Sequence, residues 1–179
     1  MLFGKLEFLP AKGQPEAMAE PTRSAIQTLD LQDVFVAEID PTLADTAAFC
    51  KHYAVNLDVS ANCVIVEAKR ADWVWHAACM ILATDKVDVN GIVRRFLDAS
   101  KTSFAPMNSA TALTGMQYGG ITPIGLPSEW PILVDARVAG SNLVVIGSGL
   151  RTSKILASGQ VIAELPNATV LDIAKDTSL

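Results

Sequence analysis

Histidine and cysteine are scarce in this chain of 179 residues, and their spacing argues against a metal site. The only histidines are His52 and His76, so a multi-histidine site would have to recruit carboxylates. Cys50, Cys63 and Cys79 are odd in number and contain no CxxC pair, so neither a disulfide framework nor a zinc ribbon is indicated. We expect three buried thiols in a reducing compartment, no bound metal and no cofactor.

Long hydrophobic runs are also missing. The apolar residues come in short runs, such as 63–66 and 143–146, far below the roughly 18 to 20 residues that a membrane span needs. The beginning of the chain mixes Lys5 and Glu7 among apolar residues and does not match a signal peptide. Half of the residues are hydrophobic, which suffices for the core of one domain. We therefore expect a soluble, cytoplasmic protein without membrane contact.

Basic residues are fewer than acidic residues. Lysine and arginine number 14 against 19 aspartates and glutamates, which gives a formal net charge of -5. Proteins that bind along nucleic acids carry a basic surface, so DNA is not an expected partner. Any contact with RNA should be local, for example to one exposed end.

Three common catalytic and nucleotide-binding motifs are absent. Ser148 lies in a glycine-rich segment that lacks the GxSxG spacing of a nucleophile elbow, and on its own it is typical of a turn. The same segment lacks GxGxxG, because Thr152 occupies the third glycine position. The phosphate-loop pattern GxxxxGK-Ser/Thr does not occur.

Capping residues and apolar periodicity predict a mixed set of elements. Asp40-Pro41 is a strong helix start, Asp88 is a second N-cap, and Gly115 fits a C-terminal cap. The predicted helices cover residues 21–31, 41–53, 88–97 and 106–115. The strand-like segments are residues 34–39, 61–67, 74–82, 131–135, 143–146, 160–163 and 170–173. This order predicts an α/β fold with a mixed sheet and packed helices, and neither a clean βαβ alternation nor an all-β ladder.

The domain organisation is predicted to be simple. No internal repeat or linker-like stretch divides the chain. Residues 1–20 are interpreted as an N-terminal lead-in, which is loose over residues 10–20. Residues 21–179 are interpreted as one domain.

One loop stands out for its backbone chemistry. Gly119-Gly120 can adopt positive φ and lets a ligand approach the amides closely. Pro123 fixes its own φ and pushes Thr122 towards an extended conformation. A stiff bend of this kind can aim successive N–H groups at one point, as an oxyanion hole does.

A resemblance to a known family gives this loop a specific interpretation. Residues 115–125 (GMQYGGITPIG) and 130–136 (WPILVDA) resemble the signature of the YbaK and prolyl-tRNA-synthetase-associated editing family. That signature has Thr-Gly, three variable residues, Gly-Gly-x-Ser/Thr-Pro-x-Gly and a strand ending in Asp. Thr114 supplies the preceding threonine, and supporting similarity runs from about residue 45 to residue 174.

The resemblance implies both a fold and an activity. Family members are single mixed α/β domains built around a strongly curved, barrel-like sheet. The implied activity is that of a trans-acting aminoacyl-tRNA deacylase, a hydrolase that protects translation fidelity by cleaving the ester of mischarged tRNA. Gly119–Pro123 match the family's GxxxP loop, whose amides would polarise the ester carbonyl while water acts as nucleophile. The implied partners are the acceptor end of an aminoacyl-tRNA and an aminoacyl-tRNA synthetase.

The resemblance also implies a set of site residues. Those expected to take part in catalysis are Gly119, Gly120, Ile121, Thr122 and Asn62. Those expected to bind substrate are Pro123, Gly125, Met116, Asp135, Gly147 and Ser148.

Asn62 departs from the family's pattern, which has a lysine at this strand start. A lysine ammonium can neutralise the terminal phosphate and help to organise the ester, whereas an asparagine amide only hydrogen-bonds. Losing such a contact costs on the order of 1 to 3 kcal/mol. Lys69, Arg151 or Lys154 could supply charge instead. Two alternative functions are therefore considered. The protein is either a deacylase with altered specificity or a non-catalytic module that binds an aminoacyl nucleotide or a partner synthetase.

Overall fold

The computed structural model describes residues 1–175, which form short strands and helices in a mixed order. The strands are β1 (Leu2–Phe3), β2 (Leu6–Glu7), β3 (Leu9–Pro10), β4 (Phe35–Glu38), β5 (Ala61–Arg70), β6 (Trp73–Leu82), β7 (Lys101–Phe104), β8 (Ile132–Asp135), β9 (Val144–Gly147), β10 (Ser153–Ala157) and β11 (Ala168–Leu171). The α-helices are α1 (Glu20–Thr28), α2 (Thr46–Tyr53), α3 (Arg94–Phe96), α4 (Met107–Thr114), α5 (Ala136–Ala139) and α6 (Gly159–Ala163). Within this range no helix has the length and hydrophobicity that a membrane span requires.

The strands form two main sheets and one small hairpin, β1-β2. The larger sheet has the order β11-β8-β6-β5-β7, with parallel pairing from β11 to β6 and antiparallel pairing from β6 to β7. The other sheet, β3-β4-β10-β9, is antiparallel throughout. The mixed α/β architecture is confirmed. The expected barrel-like closure is not, because among residues 1–175 the two main sheets share only one parallel bridge, between Ser60 and Val145.

The largest hydrophobic core combines side chains from both main sheets. On β10, Ile155 packs into this central core, while its neighbour Leu156 packs into a second core on the other face, against Phe49 of α2. On β6, Met80 belongs to the central core and Cys79 to a third core on the opposite face. Successive side chains of a strand point to opposite faces, so both faces of each sheet are covered. This burial explains why the strands read as continuous apolar runs.

Residues 1–20 are packed into the domain instead of forming a loose lead-in. Leu9 and Pro10 pair with β4, which makes β3 an edge strand of the antiparallel sheet. Phe8 is fully buried, and Met18 is 3% exposed in the central core. The apolar side chains of this segment outweigh its turn-forming prolines and glycines, because they have a sheet face to cover.

The predicted helix over residues 41–53 is divided in two. Pro41–Leu43 form a single 3-10 turn, capped by the carboxylate of Asp40. The α-helix begins only at Thr46, where the carboxylate of Asp45 accepts two further backbone amides. An N-cap residue takes an extended backbone conformation, so a second capping aspartate interrupts the helix. The predicted start at Pro41 was therefore one turn too early.

Two other predicted caps are confirmed. The Asp88 carboxylate accepts the amides of Gly91 and Ile92 and starts a helical segment that is a π-helical turn before α3. Gly115 ends α4 with a φ of +67°, in the left-handed region that favours glycine. Both caps involve only residues within one helical turn, which is why they can be recognised in the sequence.

The predicted strand over residues 160–163 is wrong. These residues lie in α6, whose N-cap is Ser158: its hydroxyl accepts the amide of Val161. The neighbouring strand is β10 instead, which sequence periodicity did not indicate. A short apolar run such as Val161-Ile162 fits a strand or a helix turn equally well, and the capping serine decides between them.

Candidate functional site

A cavity of about 890 Å³ opens beside the bridge that joins the two main sheets. Its volume lies in the range of pockets that hold small molecules. Its walls include residues 44–47 at the start of α2, residues 61–65 of β5, residues 118, 119 and 121, Gly147 of β9, and Arg151 and Lys154 of the β9-β10 hairpin.

Glycines allow the loop Gly119–Pro123, called here the glycine loop, to pack against the β9-β10 hairpin. A Cβ atom on Gly120 would lie 2.4 Å from the carbonyl oxygen of Leu150. A Cβ atom on Gly147 would lie 2.3 Å from the carbonyl oxygen of Gly120. Real Cβ atoms do not approach backbone this closely, so the loop and the hairpin touch through their main chains. This contact fixes the position of the loop at the cavity wall.

The glycine loop presents backbone amides without protein acceptors. The amide of Gly120 closes a turn by donating to the carbonyl of Gln117 at 2.9 Å. Among residues 1–175, by contrast, the amides of Gly119 and Ile121 donate to no protein acceptor, and both residues line the cavity. Gly119 has a φ of +80°, which glycine adopts without strain. Unpaired amides on a cavity wall are suited to an oxygen atom that gains negative charge.

Arg151 holds the glycine loop from the hairpin side. Its guanidinium donates to the carbonyls of Tyr118 at 3.0 Å and Pro41 at 3.1 Å. Its backbone amide donates to the side-chain oxygen of Gln117 at 2.8 Å. The arginine thus ties the start of the loop to the 3-10 turn before α2, and it places one positive charge at the cavity.

Lys154 is the most deeply buried cation of the cavity. The residue is 6% exposed, and its ammonium donates to the carbonyl of Ala44 at 3.1 Å and to that of Gly119 at 3.5 Å. The ammonium also lies 5.4 Å from the ring centroid of Phe49. Burial lowers the pKa of Lys154 from 10.5 to about 8, partly opposed by Cys50 and Asp45 and reinforced by Arg151.

Asn62 lines the cavity and is held by a neighbouring hydroxyl. Thr46, the first residue of α2, donates from its Oγ1 to the Oδ1 of Asn62 at 2.7 Å. The amide therefore has a fixed orientation but brings no charge. Lys69, on the same strand, forms an ion pair with Glu67 at 3.0 Å and does not line the cavity.

The cavity contains one thiol, that of Cys63. Burial, and to a lesser extent the proximity of Cys79, raises the pKa of this thiol far above the neutral range. It stays protonated at neutral pH, so it is a poor nucleophile. Cys50, Cys63 and Cys79 are all free thiols. No group of three or more His, Cys, Asp or Glu residues suited to a metal ion occurs in the described range.

Comparison with known families identifies the domain. The family profile described as "Aminoacyl-tRNA editing domain" matches residues 40–165, more than two thirds of the chain. The chain belongs to the aminoacyl-tRNA editing domain family. The match includes the glycine loop, Asn62 and both cavity cations. A comparison with curated protein sequences finds no match for this editing domain.

Solved structures resemble the editing domain in fold. One, described as a candidate trans-editing enzyme for prolyl tRNA synthetase, has 16% sequence identity and a TM-score of 0.75, covering 87% of this chain and 95% of that chain. A scaffold protein for computational epitope grafting has 17% identity and a TM-score of 0.76, covering 90% and 99%. A hypothetical protein has 22% identity and a TM-score of 0.75, covering 87% and 100%. Identities this low establish a likeness of fold alone.

The editing domain brings part of the sequence-predicted site together at one cavity. The predicted residues that line it are Asn62, Gly119, Ile121 and Gly147. Gly120 contacts the hairpin behind the loop. Thr122 is fully buried, and its amide lies 3.5 Å from the sulfur of Met116, which is itself 3% exposed.

The other predicted residues lie away from the cavity. Pro123 and Gly125 border a separate hollow of about 440 Å³ beside α1. The Ser148 hydroxyl is buried, lies 2.6 Å from the hydroxyl of Ser153 and accepts the amide of Leu150. Asp135 caps α5 and accepts two amides of the segment after β11. Their contacts organise the backbone around the site.

Sequence reasoning did not locate three residues of the site: Thr46, Arg151 and Lys154. Arg151 and Lys154 were only two of three basic residues that could supply charge. Nothing in the local pattern shows that a lysine following a glycine turn is buried, because lysines are rarely buried unless they are paired. Arg151 lies in the turn between β9 and β10 and Lys154 lies on β10, so their closeness in the chain is the one signal that links these two cations.

Proposed function

We propose that this editing domain is a trans-acting deacylase that hydrolyses the ester between a wrong amino acid and the 3′ end of a tRNA. The observation that carries this proposal is the convergence on one cavity of Gly119 and Ile121, whose amides have no protein acceptor among residues 1–175, with the cations of Arg151 and Lys154. The likeness to a candidate trans-editing enzyme for prolyl tRNA synthetase supports an action in trans. Charged tRNAs are handled in the cytoplasm, which is the location we propose.

The reaction follows from the chemistry of an ester next to these groups. A water molecule attacks the carbonyl carbon, and the carbonyl oxygen becomes an oxyanion that the Gly119 and Ile121 amides stabilise. The C–O bond to the ribose then breaks, and the ribose oxygen receives the proton that water has lost. The products are a free amino acid and a tRNA with a free terminal hydroxyl. We propose that backbone groups or the substrate orient the water, because the cavity thiol is protonated and the Asp45 carboxylate is engaged as the N-cap of α2.

The rim of the cavity suits the end of a single-stranded nucleic acid. Phe104 is 59% exposed and Tyr118 is 58% exposed, and both line the cavity. Exposed aromatic rings stack on bases without regard to sequence. We propose that they receive the terminal adenosine. A contact limited to the acceptor end fits a chain with a net charge of -5.

A panel of mischarged tRNAs tests the proposal. We expect the protein to release the amino acid from at least one of them with multiple turnovers, after subtraction of the spontaneous rate measured without protein. The panel should include small, apolar and charged amino acids, since it then reports both activity and substrate. If no tRNA is deacylated while a non-hydrolysable 3′-aminoacylamino analogue of adenosine binds saturably, the deacylase is refuted and the binding module is supported.

A further inference from the structure

Lys154 occupies a position that no motif of the sequence assigns. Its ammonium lies between two walls of the cavity, bonded to Ala44 before α2 and to Gly119 of the glycine loop. An ammonium has three protons, and the protein accepts two of them. Among residues 1–175 no acceptor takes the third N–H, and a group that enters the cavity can accept it, because Lys154 is itself one of the lining residues.

We propose that Lys154 is the substrate-binding cation of this editing domain and replaces the lysine that the family's pattern places at position 62. Positions 154 and 62 both contact the short segment Ala44–Thr46 at the start of α2. Lys154 bonds to Ala44, and Asn62 bonds to Thr46 two residues further on. A cation can therefore reach this corner of the cavity from β10 as well as from β5. The role rests on the deacylase function proposed above.

Arg151 is less suited to this role than Lys154. Its guanidinium is occupied by the carbonyls of Tyr118 and Pro41, so it clamps the loop from the rim. Lys154 lies deeper and beside Gly119, whose amide has no acceptor within the described residues. Charge in a buried site acts more strongly on a developing oxyanion than charge at a solvated rim.

The surroundings of Lys154 also explain why one lysine suffices. The charged and titratable groups that face it are Asp45 and Cys50 from α2 and Arg151 from the hairpin, while the glycine loop contributes a carbonyl. Its pKa of about 8, lowered by burial, leaves the ammonium mostly charged at neutral pH. A second lysine at position 62 would bring a like charge to the same cavity and lower this pKa further.

Variants that remove or keep the charge test this role on the tRNA that the wild-type protein deacylates best. Lys154→Met should lower kcat/KM by roughly 10- to 100-fold, the loss expected for a charge-assisted contact. Lys154→Arg should retain most of the activity. The wild-type rate, corrected for spontaneous hydrolysis, should fall as pH rises through about 8, because the ammonium deprotonates there, and the Lys154→Arg rate should not.

Relocating the charge provides the decisive comparison. In the Lys154→Met background, Asn62→Lys should raise kcat/KM by at least about tenfold. In the wild-type background the same substitution should give no comparable gain. Circular dichroism and thermal unfolding of each variant report whether it is folded. A folded Lys154→Met variant with wild-type kcat/KM and an unchanged pH profile would overturn the role of Lys154. Failure of Asn62→Lys to restore activity would overturn the replacement of position 62.

The role of Lys154 can also be tested if the protein proves not to be a deacylase. Binding of the non-hydrolysable 3′-aminoacylamino adenosine analogue measures the same contact without turnover. If the wild-type protein binds this analogue and Lys154→Met weakens binding by at least about tenfold, the cation is assigned while the chemistry is refuted. Equal affinities of the two proteins for the analogue, without turnover by either, would refute both.

Discussion

Gly120→Ala should lower kcat/KM for deacylation by about 100-fold, since a displacement of about 1 Å in a catalytic group costs this much. The new Cβ atom would lie 2.4 Å from the carbonyl oxygen and 2.9 Å from the amide nitrogen of Leu150. Both atoms are backbone, so neither can rotate away, and the glycine loop must move off the hairpin. That movement would displace the Gly119 and Ile121 amides from the position where we propose that the oxyanion forms. Single-turnover kinetics on the best tRNA of the panel measure the loss.

Gly13→Ala is the matched control for this experiment. No atom lies within 4 Å of a Cβ atom at Gly13, and its φ is not positive, so this glycine has room for a methyl group. We expect wild-type kcat/KM and a stability within about 0.5 kcal/mol of wild type. Gly120→Ala should also destabilise the fold by roughly 1 to 3 kcal/mol through overpacking. Wild-type activity in a folded Gly120→Ala protein would show that the loop position does not matter for catalysis.

The parts of the fold that could be predicted are those determined by residues close together in the sequence. Asp88 and Gly115 act on amides and dihedral angles within one turn, so their residue types announce the helix ends. Strands β5 and β6 were predicted for the same reason, from the apolar runs over residues 61–67 and 74–82. The division into two main sheets depends on pairing between distant strands, which periodicity does not encode. Closure of the sheet, which depends on such long-range pairing, is therefore one of the features on which the prediction was wrong.

The candidate site was predictable to the same extent. Gly119, Gly120 and Pro123 predict the glycine loop from the sequence, because backbone freedom and stiffness are properties of residue type. The partner of Asn62 is 16 residues away, and the Ala44 carbonyl that holds Lys154 is 110 residues away. Contacts of this kind follow from the arrangement of the sheets. The sequence could therefore show that a lysine was missing at position 62 but not which lysine lies in the cavity.

Asp135→Ala should destabilise the protein by roughly 3 to 5 kcal/mol, a large part of the stability of an ordinary domain. The side chain is 2% exposed, and its oxygens accept the amides of Arg137 at 3.0 Å, Ile173 at 3.0 Å and Ala174 at 3.2 Å. Alanine would leave all three amides without this acceptor, one in a buried and two in a partly buried hydrogen bond, and a buried amide that loses its partner costs about 1 to 3 kcal/mol. Urea unfolding of the two proteins measures the difference.

Asp40→Ala is the matched control, because Asp40 caps the 3-10 turn Pro41–Leu43 at an exposed position. Losing that cap should cost only about 0.5 to 2 kcal/mol, since water can satisfy the freed amide. Activity then separates a structural role of Asp135 from substrate binding. Asp135 does not line the cavity, so at a temperature where Asp135→Ala is fully folded, its kcat/KM should equal that of the wild type. A folded Asp135→Ala protein with raised KM would instead return Asp135 to the substrate-binding residues, acting through the strand that it ends.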